Sequence, residues 1–194
     1  MTQLLIATTN TGKQREFRRL LACVPADLVT PDEIGLDLDV DEPFNTYAEN
    51  AIAKADAYAA ASGLFTVADD SGIEIAALDW GPGVRSARWG EGRNAERVLE
   101  ALGDEADRRA RMVCVVAVAG TMLRSETTTF EGVVEGSVAD ERRGAGGFGY
   151  DPIFLLPSGR TAAELPEADK DRLSHRGRAV AAALPLLREL VETG

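Results

Sequence analysis

The run Met112-Val113-Cys114-Val115-Val116-Ala117-Val118-Ala119 is apolar without a break. A strand with one face in water alternates, so an uninterrupted run predicts a central strand covered on both faces. Arg124 to Val134 alternates in part and is read as its antiparallel neighbour. Leu4-Leu5-Ile6-Ala7 reads as another buried strand, followed by polar Thr8 to Lys13 and a helix with Phe17, Leu20 and Leu21 on one face. A second helix opens at Thr46, where Glu49 fits a capping box and is expected to bond the backbone of Thr46. It runs to Ser62 and stops at Gly63, and alanines at 51, 55 and 59 let it lie close against a sheet. A third, amphipathic helix covers Asn94 to Leu102. The predicted class is α/β with a mixed sheet.

At 194 residues the chain suits a single domain spanning residues 1–194, with no internal repeat or linker. Cys23 and Cys114 show no metal-binding spacing and read as packing residues in a reducing compartment. No basic-then-apolar leader opens the sequence, and no run approaches ~18 apolar residues, so a soluble, cytoplasmic protein is expected, without a membrane partner. A net charge of −11 opposes binding of a nucleic-acid polymer. It leaves room for a nucleotide, whose phosphates need only a local patch of Lys, Arg and backbone N–H groups. A divalent cation would turn nearby carboxylates into ligands.

Several segments carry candidate chemistry. Leu64, Phe65 and Val67 read as a short strand leading to Asp69-Asp70-Ser71-Gly72, where Gly72 is expected to permit a sharp exit into Ile73-Glu74-Ile75. That corner can hold a metal; its bland reading is an Asx turn in which Asp70 bonds only backbone N–H groups. Thr8 to Lys13 has the strand, loop, helix layout of a phosphate site, although Ala7 and Gln14 replace the first Gly and the Ser or Thr of a P-loop; the same residues suit a simple helix cap. Asn50 and Lys54 share a helical face. Acidic residues cluster at Asp37, Asp39, Asp41 and Glu42. Arg88 reads as a phosphate or structural arginine. Gly144 to Pro152 holds four glycines with Phe148, Tyr150 and Asp151, which suits close approach to a ligand or a turn with its rings in the core. Ser174-His175-Arg176 opens a helix with an apolar stripe at Val180, Leu184, Leu187 and Val191 and a kink at Pro185; His175 is the single histidine, a cap or a functional residue.

Taken together these motifs resemble the non-canonical purine nucleoside triphosphate pyrophosphatases, the inosine or xanthosine triphosphate pyrophosphatases. The resemblance rests on six segments in order: Thr8-Thr9-Asn10-Thr11-Gly12-Lys13, Thr46 to Ala51 with Lys54, Ala68 to Gly72, Pro82-Gly83-Val84 with Ser86-Ala87-Arg88, Gly147 to Pro152, and Ser174-His175-Arg176. It implies a long central sheet with flanking helices forming two lobes around a substrate cleft, a homodimer, and Mg2+-dependent hydrolysis of ITP, dITP and XTP to the monophosphate and pyrophosphate. It also implies roles. Thr8, Thr9, Asn10, Thr11, Gly12, Lys13 and Lys54 would hold the phosphates, and Asp70 would take the proton. Asp70, Glu42 and Asp69 would serve the metal. Ser71 would touch the substrate, and Phe148, Gly149, Tyr150, Asp151, Lys170, His175 and Arg176 would hold the base and its surroundings. Two departures from the family pattern are Pro43-Phe44 after Glu42, where a Gly is common at the second position, and Arg85 between Val84 and Ser86.

Overall fold

The computed structural model describes residues 2–90, 92–120 and 126–193. In chain order the strands are β1 (Gln3–Ile6), β2 (Asp27–Val29), β3 (Phe65–Ile75), β4 (Gly81–Pro82), β5 (Arg109–Ala119), β6 (Thr128–Val138) and β7 (Phe154–Leu155). The α-helices are α1 (Thr11–Leu20), α2 (Tyr47–Ser62), α3 (Asn94–Leu102), α4 (Glu167–Leu173) and α5 (His175–Thr193). One sheet has the order β2-β1-β3-β5-β6-β7, with β4 paired to β3. β1 runs parallel to both β2 and β3, whereas the β3–β4 and β6–β7 pairs are antiparallel. The mixed α/β class follows.

Two compact units are interleaved along the chain. The first comprises Met1–Asp70, Val115–Glu131 and Arg178–Gly194; the second comprises Ser71–Cys114 and Gly132–Gly177. Each of β3, β5, β6 and α5 contributes residues to both. No composition shift marks this division, because it falls inside regular elements.

In the first unit β1 buries Leu4, Leu5 and Ile6 completely, and α1 contributes Phe17, also fully buried. Removing one such side chain from water is worth about 1.5–3 kcal/mol. On α2 the alanines at 51, 55 and 59 are buried, and Gly63 ends the helix in the left-handed conformation at φ 73°. In the second unit Ile73, Ile75, Val98, Met112, Val134, Ile153 and Phe154 belong to one core cluster. β5 is almost wholly buried, as its unbroken apolar run requires.

Three expectations need correction. β3 does not break at Gly72; it continues from Phe65 to Ile75, so Asp69 and Asp70 lie within a strand and neither the corner nor the Asx turn forms. Both carboxylates find side-chain partners from other elements, which removes the need for a turn's backbone donors. β6 begins at Thr128, and residues 124 and 125 of the predicted strand lie outside the described residues. The Thr46 hydroxyl accepts from the Glu49 backbone N–H at 3.2 Å and meets Glu49 Oε2 at 2.6 Å, so the glutamate returns to the hydroxyl and not to the Thr46 backbone. Elsewhere α5 runs on through Pro185 to Thr193. Among the described residues no helix is long and apolar enough to cross a membrane.

Candidate active site

In the first unit, the chain leaving β1 is braced before it enters α1. Asn10 Oδ1 accepts from the backbone N–H groups of Gly12 at 2.9 Å and Lys13 at 3.1 Å, while Thr8 Oγ1 accepts from Asn10 N–H at 3.2 Å. Gln14 Nε2 donates to the Thr8 carbonyl at 2.8 Å, so Gln14 holds the loop rather than standing ready for a cation. The cap reading of this segment is therefore correct as far as it goes. Thr9, Asn10 and Thr11 stay exposed beside the positive end of α1, where an anion is favoured.

Lys13 turns from the first turn of α1 to Asp69, with Nζ 3.1 Å from Oδ2; the Asp69 side chain is fully buried. On the neighbouring position of β3, Asp70 is reached from α2, where Asn50 Nδ2 donates to Asp70 Oδ2 at 3.0 Å. Lys54, one turn further along α2, is paired with Glu42. Burial pushes the Asp70 carboxyl above the usual carboxylate range. The Asn50 donor and the charges of Lys13 and Lys54 act against that shift, and Glu42 adds to it. For Lys54, burial works to lower the pKa, but the charges of Asp69, Glu42 and Asp70 and the bond to Glu42 outweigh it, so its ammonium is held above the ordinary lysine value.

Thus the structure brings Lys13, Glu42, Lys54, Asp69 and Asp70 into one electrostatic group, with Asn50 as its uncharged hinge. Asn50 was not among the residues assigned a site role from sequence. Its signal was slight, a single amide on the same face as Lys54 in a helix otherwise rich in alanine.

Oxygen donors of this kind suit a hard divalent cation. Among the described residues no group of three or more His, Cys, Asp or Glu is disposed to hold a metal ion by itself. One or two such carboxylates suffice for a hard divalent cation where the oxygens of a phosphate substrate complete its shell.

The second unit gathers the remaining candidates. Asp151 is buried in the loop before β7, and its Oδ2 accepts from Phe148 N–H at 2.6 Å and from Lys170 Nζ at 2.5 Å. Lys170 comes from α4 and is itself only 5% exposed. A Cβ at Gly147, whose φ is +68°, would lie 2.2 Å from Asp151 Oδ2, so this tight wrap around the carboxylate requires glycine. The half-buried Phe148 ring has Lys170 Nζ at 5.1 Å and the Arg176 guanidinium at 5.7 Å from its centroid.

Tyr150 donates from its hydroxyl to the Ser86 carbonyl at 2.8 Å, and burial pushes its pKa up to about 12. The Ser86 hydroxyl in turn accepts from Ile73 N–H at 2.9 Å. Arg176, in the first turn of α5, donates to Ser71 Oγ at 2.9 Å. His175 beside it is buried. At Gly177 a Cβ would meet the Asp171 carbonyl oxygen at 1.8 Å, so glycine lets the start of α5 pass against the end of α4. Arg85 and Arg88 are exposed.

The chain as a whole is similar to proteins of known class. Residues 4–186 match the model of the Ham1 family. The chain is 44% identical over 195 residues to a dITP/XTP pyrophosphatase of Nitrosomonas europaea, covering 97% of this chain and 96% of that one. It is 46% identical over 200 residues to a dITP/XTP pyrophosphatase of Symbiobacterium thermophilum, covering 99% and 98%. Among solved structures, a HAM1 protein from Coxiella burnetii superposes with a TM-score of 0.85 at 40% identity, covering 97% of this chain and all of that one.

Proposed function

The chain belongs to the Ham1 family, and on that premise we propose that it hydrolyses non-canonical purine nucleoside triphosphates to the monophosphate and pyrophosphate. ITP, dITP and XTP are the substrates, Mg2+ is the cofactor, and the working form is a cytoplasmic homodimer. The carrying observation is the group in the first unit, where two lysines and one amide converge on three carboxylates around Asp70.

In this reading Asp70 takes the proton of an attacking water. Burial raises its basicity, and the Asn50 donor keeps Oδ2 as an acceptor. Water adds at phosphorus in the α–β anhydride, its proton passes to Asp70, and the P–O bond to the leaving pyrophosphate breaks. Thr8, Thr9, Asn10, Thr11, Gly12 and Lys13 hold the phosphates at the start of α1, and Lys54 adds positive charge. Asp70, with Glu42 and Asp69 beside it, would hold the divalent cation together with the substrate's phosphates, and the cation would supply positive charge against the charge that develops on phosphate oxygen. Three carboxylates against two ammonium groups leave an excess negative charge, which supports a requirement for the metal alongside a polyanion.

Ser71 touches the substrate, and Phe148, Gly149, Tyr150, Asp151, Lys170, His175 and Arg176 hold the base and its surroundings. Lys170 and Arg176 place cationic groups beside the Phe148 ring, which supports a role in receiving an electron-rich 6-oxo purine. Incubation with inosine triphosphate and Mg2+, followed by separation of the products, is the test. Inosine monophosphate with pyrophosphate is expected; release of orthophosphate as the first inorganic product would indicate a phosphatase instead, and intact triphosphate a binding protein.

A further inference from the structure

One face of α2 carries Asn50, Lys54 and Tyr58 at successive turns, and each reaches the same preceding loop. Tyr58 donates from its hydroxyl to the Leu38 carbonyl at 2.8 Å, Lys54 pairs with Glu42, and Asn50 engages Phe44. The Asn50 contact is reciprocal. Its Oδ1 accepts from Phe44 N–H at 3.0 Å and its Nδ2 donates to the Phe44 carbonyl at 3.3 Å, like a rung of a β-ladder made by a side chain. Nδ2 also donates to Asp70 Oδ2 at 3.0 Å. The amide is 1% exposed, so water does not compete for these bonds.

Because Phe44 takes the amide oxygen, the Asn50 NH2 group has to face Asp70, and the amide cannot flip without losing all three contacts. We infer that Asn50 is a positioning residue of the proposed reaction: a single carboxamide locks the loop that carries Glu42 to the carboxylate of Asp70, fixing both acids in one register. No other residue type supplies this set. Aspartate keeps the acceptor for Phe44 N–H but lacks both donors and sets a second carboxylate against Asp70. Alanine removes all three bonds, and glutamine displaces the amide by a methylene. The Pro43-Phe44 sequence is where this lock attaches, and proline stiffens the approach to it.

The inference rests on the pyrophosphatase reading, and the test keeps the two apart. Asn50→Ala is made alone and on an Asp70→Asn background, with Asn50→Asp as the near-isosteric variant should the alanine protein not fold. Pyrophosphate release from inosine triphosphate is measured together with hydrogen exchange at the Phe44 amide, a readout that needs no turnover. The expected result is a kcat lower by about 10–100-fold with KM changed less than about threefold, as for loss of an orienting partner behind a reacting group. On the Asp70→Asn background the same change should cost little more, and Phe44 exchange should accelerate in Asn50→Ala, which removes the acceptor of its N–H, and change less in Asn50→Asp, which keeps one. Equal losses in both backgrounds, or unchanged exchange at Phe44 in Asn50→Ala, would overturn the assignment. If the unmutated protein releases no pyrophosphate, the functional reading fails, and the exchange measurement alone decides whether Asn50 holds the loop.

Discussion

Lys13 Nζ lies 3.1 Å from Oδ2 of Asp69, and the aspartate side chain has no exposure at all. A lysine that only held phosphate could be lost without harm to the fold. The pairing changes that expectation, because removing a cation from beside a buried carboxylate is costly.

Lys13→Ala should therefore weaken triphosphate use and also lower stability by about 3 kcal/mol, the lower part of the range for breaking a buried pair because the lysine is partly exposed. Thermal unfolding and steady-state kinetics on the same preparation check both halves. Adding Asp69→Asn should recover much of the stability, since it removes the buried charge, but not the activity. A lysine variant that melts with the unmutated protein would show that the pair contributes nothing to folding.

Asp70→Asn should leave the fold intact while lowering kcat by ~10²-fold or more, the usual cost of losing a general base. The substituted amide oxygen can still accept from Asn50, so the β3–α2 contact survives in this variant. Circular dichroism with pyrophosphate release checks the pair of claims. Turnover near the unmutated level in a folded protein would remove Asp70 from the reaction.

Tyr150 supplies a pH test independent of catalysis. Its folded pKa is about 12 against an ordinary 10.0, because burial opposes the phenolate. A raised folded value means that the contribution is complete below pH 10 and is lost as pH rises towards 12. Two units correspond to at most about 3 kcal/mol. Unfolding free energy should thus fall over that window, and the fall should be smaller in Tyr150→Phe. At pH 8 the phenylalanine protein should be less stable by about 1 kcal/mol through loss of the bond to Ser86. Parallel pH profiles for the two proteins would refute this account.

How far the sequence reveals the structure depends on whether the deciding interaction is local. β5 was legible because an unbroken apolar run requires cover on both faces, and the end of α2 because Gly63 can take a left-handed conformation that other residues avoid. Gly72 was misleading for the same reason. Its freedom was real, but partners 20 or more positions away hold Asp69 and Asp70 within an unbroken strand. α4 has no apolar stripe; its buried member is Lys170, whose burial is offset by Asp151 19 positions earlier. Within the candidate site, the residue types were visible as motifs, whereas the pairings were not. Arg176 meets Ser71 across 105 positions, and no periodicity encodes such a contact.

The choice of base provides the last prediction. Hypoxanthine and xanthine present an acceptor at O6 and a donor at N1, and adenine reverses both, so donors from Arg176, His175 or backbone N–H groups near Phe148 to Asp151 should reject ATP. The Phe148 N–H is already given to Asp151 Oδ2 at 2.6 Å, which narrows the backbone donors left for a base. Guanine shares O6 and N1–H with hypoxanthine and differs by the 2-amino group, so its exclusion has to arise at C2. A donor there pairs with the oxygen of xanthine and opposes an amine; hypoxanthine leaves it to water. Burying such a donor without a partner costs ~1–3 kcal/mol, or roughly tenfold to a hundredfold in rate, and a site that bonds one edge can discriminate further. The measurement is kcat/KM for ITP, XTP, GTP and ATP at one Mg2+ concentration, with ATP lowest and GTP well below XTP. GTP used about as well as XTP would rule out a donor at C2 and make the protein a general purine triphosphate pyrophosphatase.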